Sequence, residues 1–273
     1  MLSALRFAGG ARCARLAPAF CRNCRCMVRC RPIECTNHAR SKPPGCRLME
    51  LNADFSKRAA EHAGHLVWQR SPMPGVERKM LDRIGDEIAR ATTLVRYAPG
   101  SRFSAHTHDG GEEFLVLEGV FQDEHGDYPA GSYVRNPPTS SHAPASRPGC
   151  TIFVKLRQFD AADRASVRID TSKLNLEDVP GRAGVTAAPL FGGDREQVRL
   201  ERWATGAHIV LDAPAGMEIL VIDGRFTESG ETFMRHSWLR LPAGCVAEAS
   251  AGDGGCSLWV KAGHSDNRPM GRI

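Results

Sequence analysis

From Met49 onward short apolar runs are separated by clusters of Gly, Pro, Asp and Asn. Short runs bounded by turn residues suit strands. Strands are predicted at 92–97, 113–117, 132–135 and 151–156, and again at 198–203, 208–211, 218–222, 237–241 and 257–261. Only Lys57 to His62 carries a weak helical pattern. The predicted class is therefore all-β.

The two sets of strands are copies of one another. The run from Gly149 to Lys155 (GCTIFVK) matches Gly255 to Lys261 (GCSLWVK) at an offset of 106 residues. Glu113 to Gly119 (EFLVLEG) matches Glu218 to Gly224 (EILVIDG), and Tyr133 to Pro137 (YVRNP) matches Trp238 to Pro242 (WLRLP), both at an offset of 105. Three matched segments in one order predict two tandem β-barrels, spanning 57–160 and 171–265 and joined near Asp160 to Thr171.

Charge changes the picture at one end only. Met1 to Leu48 holds nine arginines, one lysine and seven of the ten cysteines against a single acid, Glu34, for a charge of about +9. The formal +5 of the whole chain leaves roughly −4 for the rest, so the basic character belongs to the leader and no nucleic-acid partner is expected. Residues 1–48 read as a non-globular leader with three interpretations. Arg6, Arg12 and Arg15 among Ala and Leu resemble a mitochondrial presequence. Cys21, Cys24, Cys26, Cys30, Cys35 and His38 could instead hold a metal, although their spacing lacks the paired Cys-x2-Cys of zinc ribbons. The favoured interpretation is an upstream extension of the reading frame, with Met49 as the true start.

No window reaches the ~18–20 consecutive apolar residues of a membrane span, so no membrane partner is expected. In the body only Cys150, Cys245 and Cys256 remain, a sparse set that points to a reducing compartment, the cytoplasm.

The candidate chemistry lies between Gly100 and Gly119, which has the form G-x5-H-x-H-x3-E-x6-G through His106, His108 and Glu112. Residues i and i+2 of a strand share a face about 7 Å apart, so both imidazoles can reach one ion between them. Asp109, Gly110 and Gly111 then turn the chain and bring in Glu112. His142, after the rigid Pro137–Pro138 loop, would complete a set of metal ligands. Glu113 is the competing carboxylate, but alternation sends it to the face opposite Glu112 and Phe114. His62, His65, His125, His208, His236 and His264 fit no ligand spacing and read as surface or loop residues.

The segment from Gly100 to Gly119 is similar to the first signature motif of the cupin superfamily, a fold of jelly-roll (double-stranded β-helix) barrels. The second signature usually sets its histidine a few residues after a Pro-x-Gly turn. Here Pro129, Ala130 and Gly131 form that turn, but His142 follows Gly131 by eleven residues. The late histidine, with Ser140, Ser141, Ala143, Pro144 and the Gly149–Cys150 pair, resembles the ChrR-type branch, where such a histidine is the fourth ligand. The second repeat lacks the set. At the two offsets His106 falls on Leu211 or Asp212, His108 on Ala213 or Pro214, Glu112 on Met217 or Glu218, and His142 on Ala247 or Glu248. The expectation is one divalent transition metal per chain and a degenerate second barrel that serves packing.

Three imidazoles and a carboxylate accept zinc, iron, manganese or nickel, with zinc the expected ion. The resemblance implies a sensor or binding module that responds to an oxidant or a small-molecule ligand and relays it to a protein partner; a homodimer is also expected to be accessible. The alternative is a metal-dependent dioxygenase cleaving a carbon–carbon bond of a diketone-like molecule, with Tyr97, Phe103, Phe114 or Tyr133 as pocket walls. The anti-sigma activity of ChrR proteins resides in a separate N-terminal helical domain that Met1 to Leu48 does not reproduce, so that role is not assigned.

Overall fold

A computed structural model describes residues 48–263, so the interpretations placed on the leader before Leu48 and on His264 lie outside the described residues. The described chain is nearly all β, and its single helical turn is Thr171–Lys173. All nine predicted strands are present, most of them longer by a residue or more than the pattern indicated. Among the strands that the pattern did not predict, the two longest are Val76–Ile84 and Val185–Gly192. The first carries five charged residues in nine positions, and the second carries two alanines and a proline; neither shows a clean alternation.

The helical expectation for Lys57 to His62 is corrected. Ala59–Glu61 is a strand that pairs antiparallel with Trp238–Leu241, in the register Ala60 with Leu239. Weak helical propensity yields to the backbone hydrogen bonds offered by an open sheet edge and to burial of Ala59.

Two large antiparallel sheets organise the molecule. In the first, Arg90–Tyr97, Cys150–Leu156, Glu112–Asp123, Ser132–Asn136 and Val167–Asp170 are successive neighbours. In the second, Gln197–Trp203, Cys245–Ala262, Met217–Glu228, Trp238–Leu241 and Ala59–Glu61 follow in the same way. The pairings repeat residue by residue: Glu113 lies opposite Lys155 as Glu218 lies opposite Lys261, and Tyr133 opposite Leu115 as Trp238 opposite Leu220. Gly119 and Gly224 mark the same kink in the two sheets. Each has positive φ, and a Cβ there would sit 2.0 Å from the Gly149 oxygen and 2.3 Å from the Gly255 oxygen respectively.

Alternation along Glu112–Asp123 and Met217–Glu228 sorts side chains into three cores. Phe114 and Val116 pack with Phe121, Tyr128, Val134 and Ile152 inside the first half. Met217, Ile219 and Val221 pack with Leu211, Ala213, Phe226 and Leu258 in the second. Leu115, Leu117, Tyr133, Phe153, Leu220, Trp238 and Trp259 meet in a third core shared by both sheets, where Phe153 and Trp259 stack edge to face at 5.0 Å.

Buried ion pairs cross this shared core. Lys261 Nζ lies 2.6 Å from Glu113 Oε2, and Lys155 Nζ lies 2.5 Å from Glu218 Oε2, so each lysine pairs with the other half's glutamate. The Tyr133 hydroxyl donates to Glu113 at 2.6 Å and the Trp238 indole N–H donates to Glu218 at 3.2 Å. These second donors satisfy carboxylates that would otherwise be costly to bury.

Candidate metal centre

The short strands His106–Thr107 and Ser141–His142 pair antiparallel, with His142 directly opposite His106. The loop between Asn136 and Ser141 is held to the same segment by the backbone: Thr139 N–H donates to the His108 carbonyl and His108 N–H to the Ser140 carbonyl, both at 2.9 Å. The long gap after the Pro-x-Gly turn is thus taken up by a loop that lays His142 across His106. On the other side, Gly111 has positive φ and its missing Cβ leaves room for Phe159, whose ring would stand 2.4 Å from it. This tight passage delivers Glu112 into the first position of its strand.

The three imidazoles form one cluster, with ring centroids 4.7–5.2 Å apart and one nitrogen of each within 4.8 Å of the others. Glu112 joins it from the neighbouring strand. Its Oε2 lies 3.4 Å from His108 Nε2 and 3.5 Å from His142 Nε2. These two ring nitrogens are buried and have no hydrogen-bond partner. Buried polar atoms are rarely left orphaned, and two such nitrogens beside one carboxylate oxygen suit a cation. Bonds of about 2.0–2.1 Å at tetrahedral angles set neighbouring ligand atoms about 3.4 Å apart, which is the spacing found between Glu112 and the two buried imidazoles. The cluster therefore fits a divalent transition metal. His108 and His142 are buried while His106 is exposed, so the cluster opens to solvent on the His106 side.

Electrostatics differ among the four. Burial holds the His108 pKa below the ordinary histidine value. Burial acts the same way on His142, but a hydrogen bond to Asp123 and the nearby Glu112 carboxylate outweigh it, and the pKa of His142 is raised. Asp123 is correspondingly lowered, its own burial being outweighed by the His142 contact.

Glu113 turns away, as alternation predicts, into the shared core with Lys261 and Tyr133. Tyr133 is consequently not a pocket wall: it is wholly buried between the sheets. Phe114 lies on the cluster's face of its strand, and Tyr97 packs its ring edge-on to Phe103 and Phe121. Phe121, 5.8 Å from the His142 ring, is a wall that spacing rules did not single out. Of the other histidines, His62 meets Glu231 at 2.9 Å, His65, His125 and His208 are exposed, and His236 lies in a turn; none joins the cluster.

The residues equivalent to the cluster in the second sheet follow from register. Leu211 lies opposite Ala247 as His106 lies opposite His142, and Met217 opposite Leu241 as Glu112 opposite Asn136. The offset of 105 is thereby selected, and Leu211, Ala213 and Met217 are all buried in an apolar core.

Residues 56–160 match the family of ChrR cupin-like domains. Solved structures share the fold at low identity. A candidate dioxygenase from Nostoc punctiforme is 11% identical, with 83% of this chain and 86% of that one covered at a TM-score of 0.60. A candidate glyoxylate-induced protein from Pseudomonas aeruginosa is 12% identical over 86% and 97%, at 0.63. The bacterial pirin YhhW from Escherichia coli, solved with nickel(II), is 14% identical over 76% and 98%, at 0.54. No curated protein matches the chain in sequence. Among the described residues no helix is long and apolar enough to cross a membrane.

Proposed function

We propose that this chain, whose residues 56–160 carry a ChrR cupin-like domain of the cupin superfamily, is a metal-binding sensor or binding module that holds one divalent ion through His106, His108, Glu112 and His142. The observation that carries the reading is the convergence of two buried, unpartnered ring nitrogens on one carboxylate oxygen. Zinc is the ion we assign, and it would supply a fixed positive charge able to take an oxygen or sulfur atom of a small molecule or oxidant. The chain's own residues supply the rest. Phe114 and Phe121 dry the inner side of the cluster, and exposed His106 marks the side from which a ligand enters.

Residues 171–265 read as a second, degenerate cupin barrel, a reading supported by the recurring register and by Leu211, Ala213, Met217 and Ala247 at the ligand positions. The cytoplasm is the proposed compartment, supported by free Cys150, Cys245 and Cys256 among the described residues. A protein partner that receives the signal, or a second copy of the chain, completes the sensor role.

The open His106 side supports a second reading, metal-dependent dioxygenase, because catalytic sites keep a position for substrate whereas structural sites close. The candidate dioxygenase from Nostoc punctiforme shares the fold. Elemental analysis of anaerobically purified protein, followed by oxygen-uptake assays with Fe(II) and a diketone panel, separates the two. Stoichiometric zinc without oxygen consumption supports the sensor. Oxygen uptake that needs both Fe(II) and a diketone overturns it in favour of the enzyme, and a chain that retains no metal overturns both.

A further inference from the structure

Around the cluster, hydrogen bonds form a ring that joins two of the four proposed ligands from outside. Glu112 Oε2 accepts from Asn136 Nδ2 at 3.1 Å. Asn136 Oδ1 accepts from Arg168 Nη2 at 3.4 Å, and Arg168 Nε donates to the Tyr128 hydroxyl at 3.1 Å. That hydroxyl donates to Asp123 Oδ1 at 3.2 Å, and Asp123 Oδ2 meets His142 Nδ1 at 3.2 Å. The ring closes at the cluster itself, where Glu112 Oε2 and His142 Nε2 are 3.5 Å apart.

The direction of every bond in the ring follows from one residue. A guanidinium donates and never accepts. Arg168 therefore fixes the Asn136 amide with its oxygen outward, which aims the NH2 at Glu112. It also occupies a lone pair of Tyr128, which turns the phenolic proton toward Asp123. Asp123 already accepts from the His125 backbone N–H at 2.8 Å and from Tyr128 on Oδ1, and its Oδ2 faces His142 as an acceptor, so His142 carries its proton on Nδ1. Its Nε2 lone pair is then free and points into the cluster, where it has no other partner. The Asp123 side chain is 2% exposed, so water does not compete for this contact. Arg168 comes from Val167–Asp170, a strand beyond the predicted first unit, and its register opposite Val134 places it on the same face as Asn136.

We propose that Asp123 and Arg168 are positioning residues of the metal centre, Asp123 locking the tautomer of His142 and Arg168 setting the polarity of both arms of the ring. This rests on the ligand set proposed above. Partners of metal-bound histidines that orient the ring contribute about 10- to 100-fold in metal affinity. Arg168 is exposed, so solvent screens its charge, and it bonds only the neutral acceptors Asn136 and Tyr128; each bond is worth about 2- to 12-fold.

The test is a Zn(II) competition titration of the full chain with a chromophoric chelator, accompanied by Co(II) absorption spectra. Asp123→Ala should weaken Zn(II) binding by about 10- to 100-fold and alter the Co(II) bands. Arg168→Ala, a surface change that leaves the cores intact, should weaken it by a few-fold in the same direction. The effect of Asp123→Ala should persist in a His106→Ala background and vanish in a His142→Ala background, since Asp123 acts through His142 alone. Wild-type affinity in Asp123→Ala, or an equal loss in both backgrounds, would overturn the proposal. If His108→Ala binds Zn(II) as tightly as the unmodified chain, the ligand set itself falls, whatever Asp123 does.

Discussion

Where the first half sets His106 opposite His142 across two short strands, the second sets Leu211 opposite Ala247 at the same register. Where Glu112 faces Asn136, Met217 faces Leu241. The backbone frame is held in common, while one interior ends in nitrogen and carboxylate groups and the other in methyl and thioether groups. What the frame preserves in both halves is the outward face: Glu113 and Glu218, Lys155 and Lys261, Tyr133 and Trp238 occupy matched positions and pair across the shared core. An antiparallel sheet lets this happen because alternation makes its two faces independent. One face can lose its chemistry without disturbing the other.

The face that both halves keep should carry the largest effect on stability. Lys261→Met strands the Glu113 carboxylate in a buried site, and also removes a 2.9 Å contact to Glu196. A loss of about 3–5 kcal/mol in urea unfolding is expected, because breaking a buried pair leaves an uncompensated charge. The double variant Lys261→Met with Glu113→Gln should recover much of it. A loss under about 1 kcal/mol for the single variant would show that the crossed pairs do not hold the halves together.

A sharper test rewrites the first interior as the second. The quadruple variant His106→Leu, His108→Ala, Glu112→Met and His142→Ala should fold and retain no metal. Its apo stability should fall by about 1–3 kcal/mol, because the apolar packing gained is offset by Asp123 and Asn136, which lose His142 and Glu112 as partners. Elemental analysis and denaturant midpoints check both halves of the statement; metal retention would mean that the ion sits elsewhere.

The smallest expected effect lies in the second half. Glu201 is buried, but hydrogen bonds from Arg182 and Trp203 and the charge of Arg199 outweigh that burial and hold its pKa below the ordinary 4.5. A lowered carboxylate pKa stabilises the fold above the unfolded value and loses that contribution as pH falls through the folded one. Stability should therefore decline below about pH 4.5, and Glu201→Gln should flatten that decline while leaving metal affinity unchanged. An unchanged acid slope in thermal melts would assign the decline to other carboxylates.

Much of this was readable in the chain. Short apolar runs bounded by turn residues placed nine strands, and the offset between matched segments anticipated the second set of pairings. His106, His108 and Glu112 were legible because their spacing lies within one turn of chain, and Glu113 was excluded by alternation alone. Val76–Ile84 was hidden because charged residues break its pattern, although Asp82 and Arg83 are buried: Asp82 meets Arg240, from the other half, and Arg83 bonds backbone carbonyls at Gly85 and Asp86. Tyr133 was misplaced because a strand pattern gives two faces but does not say which one a ligand will see.

The amino-acid sequence by itself determined the all-β class, the repeat and the identity of the candidate ligands, since each depends on order and spacing over a few residues. Only the tertiary structure decided that the two glutamate–lysine pairs cross between halves, that Ala59–Glu61 completes the second sheet, and that Asp123, Asn136 and Arg168 surround the cluster. Those relations join residues on different strands, and they are set by register and twist, which no local pattern encodes.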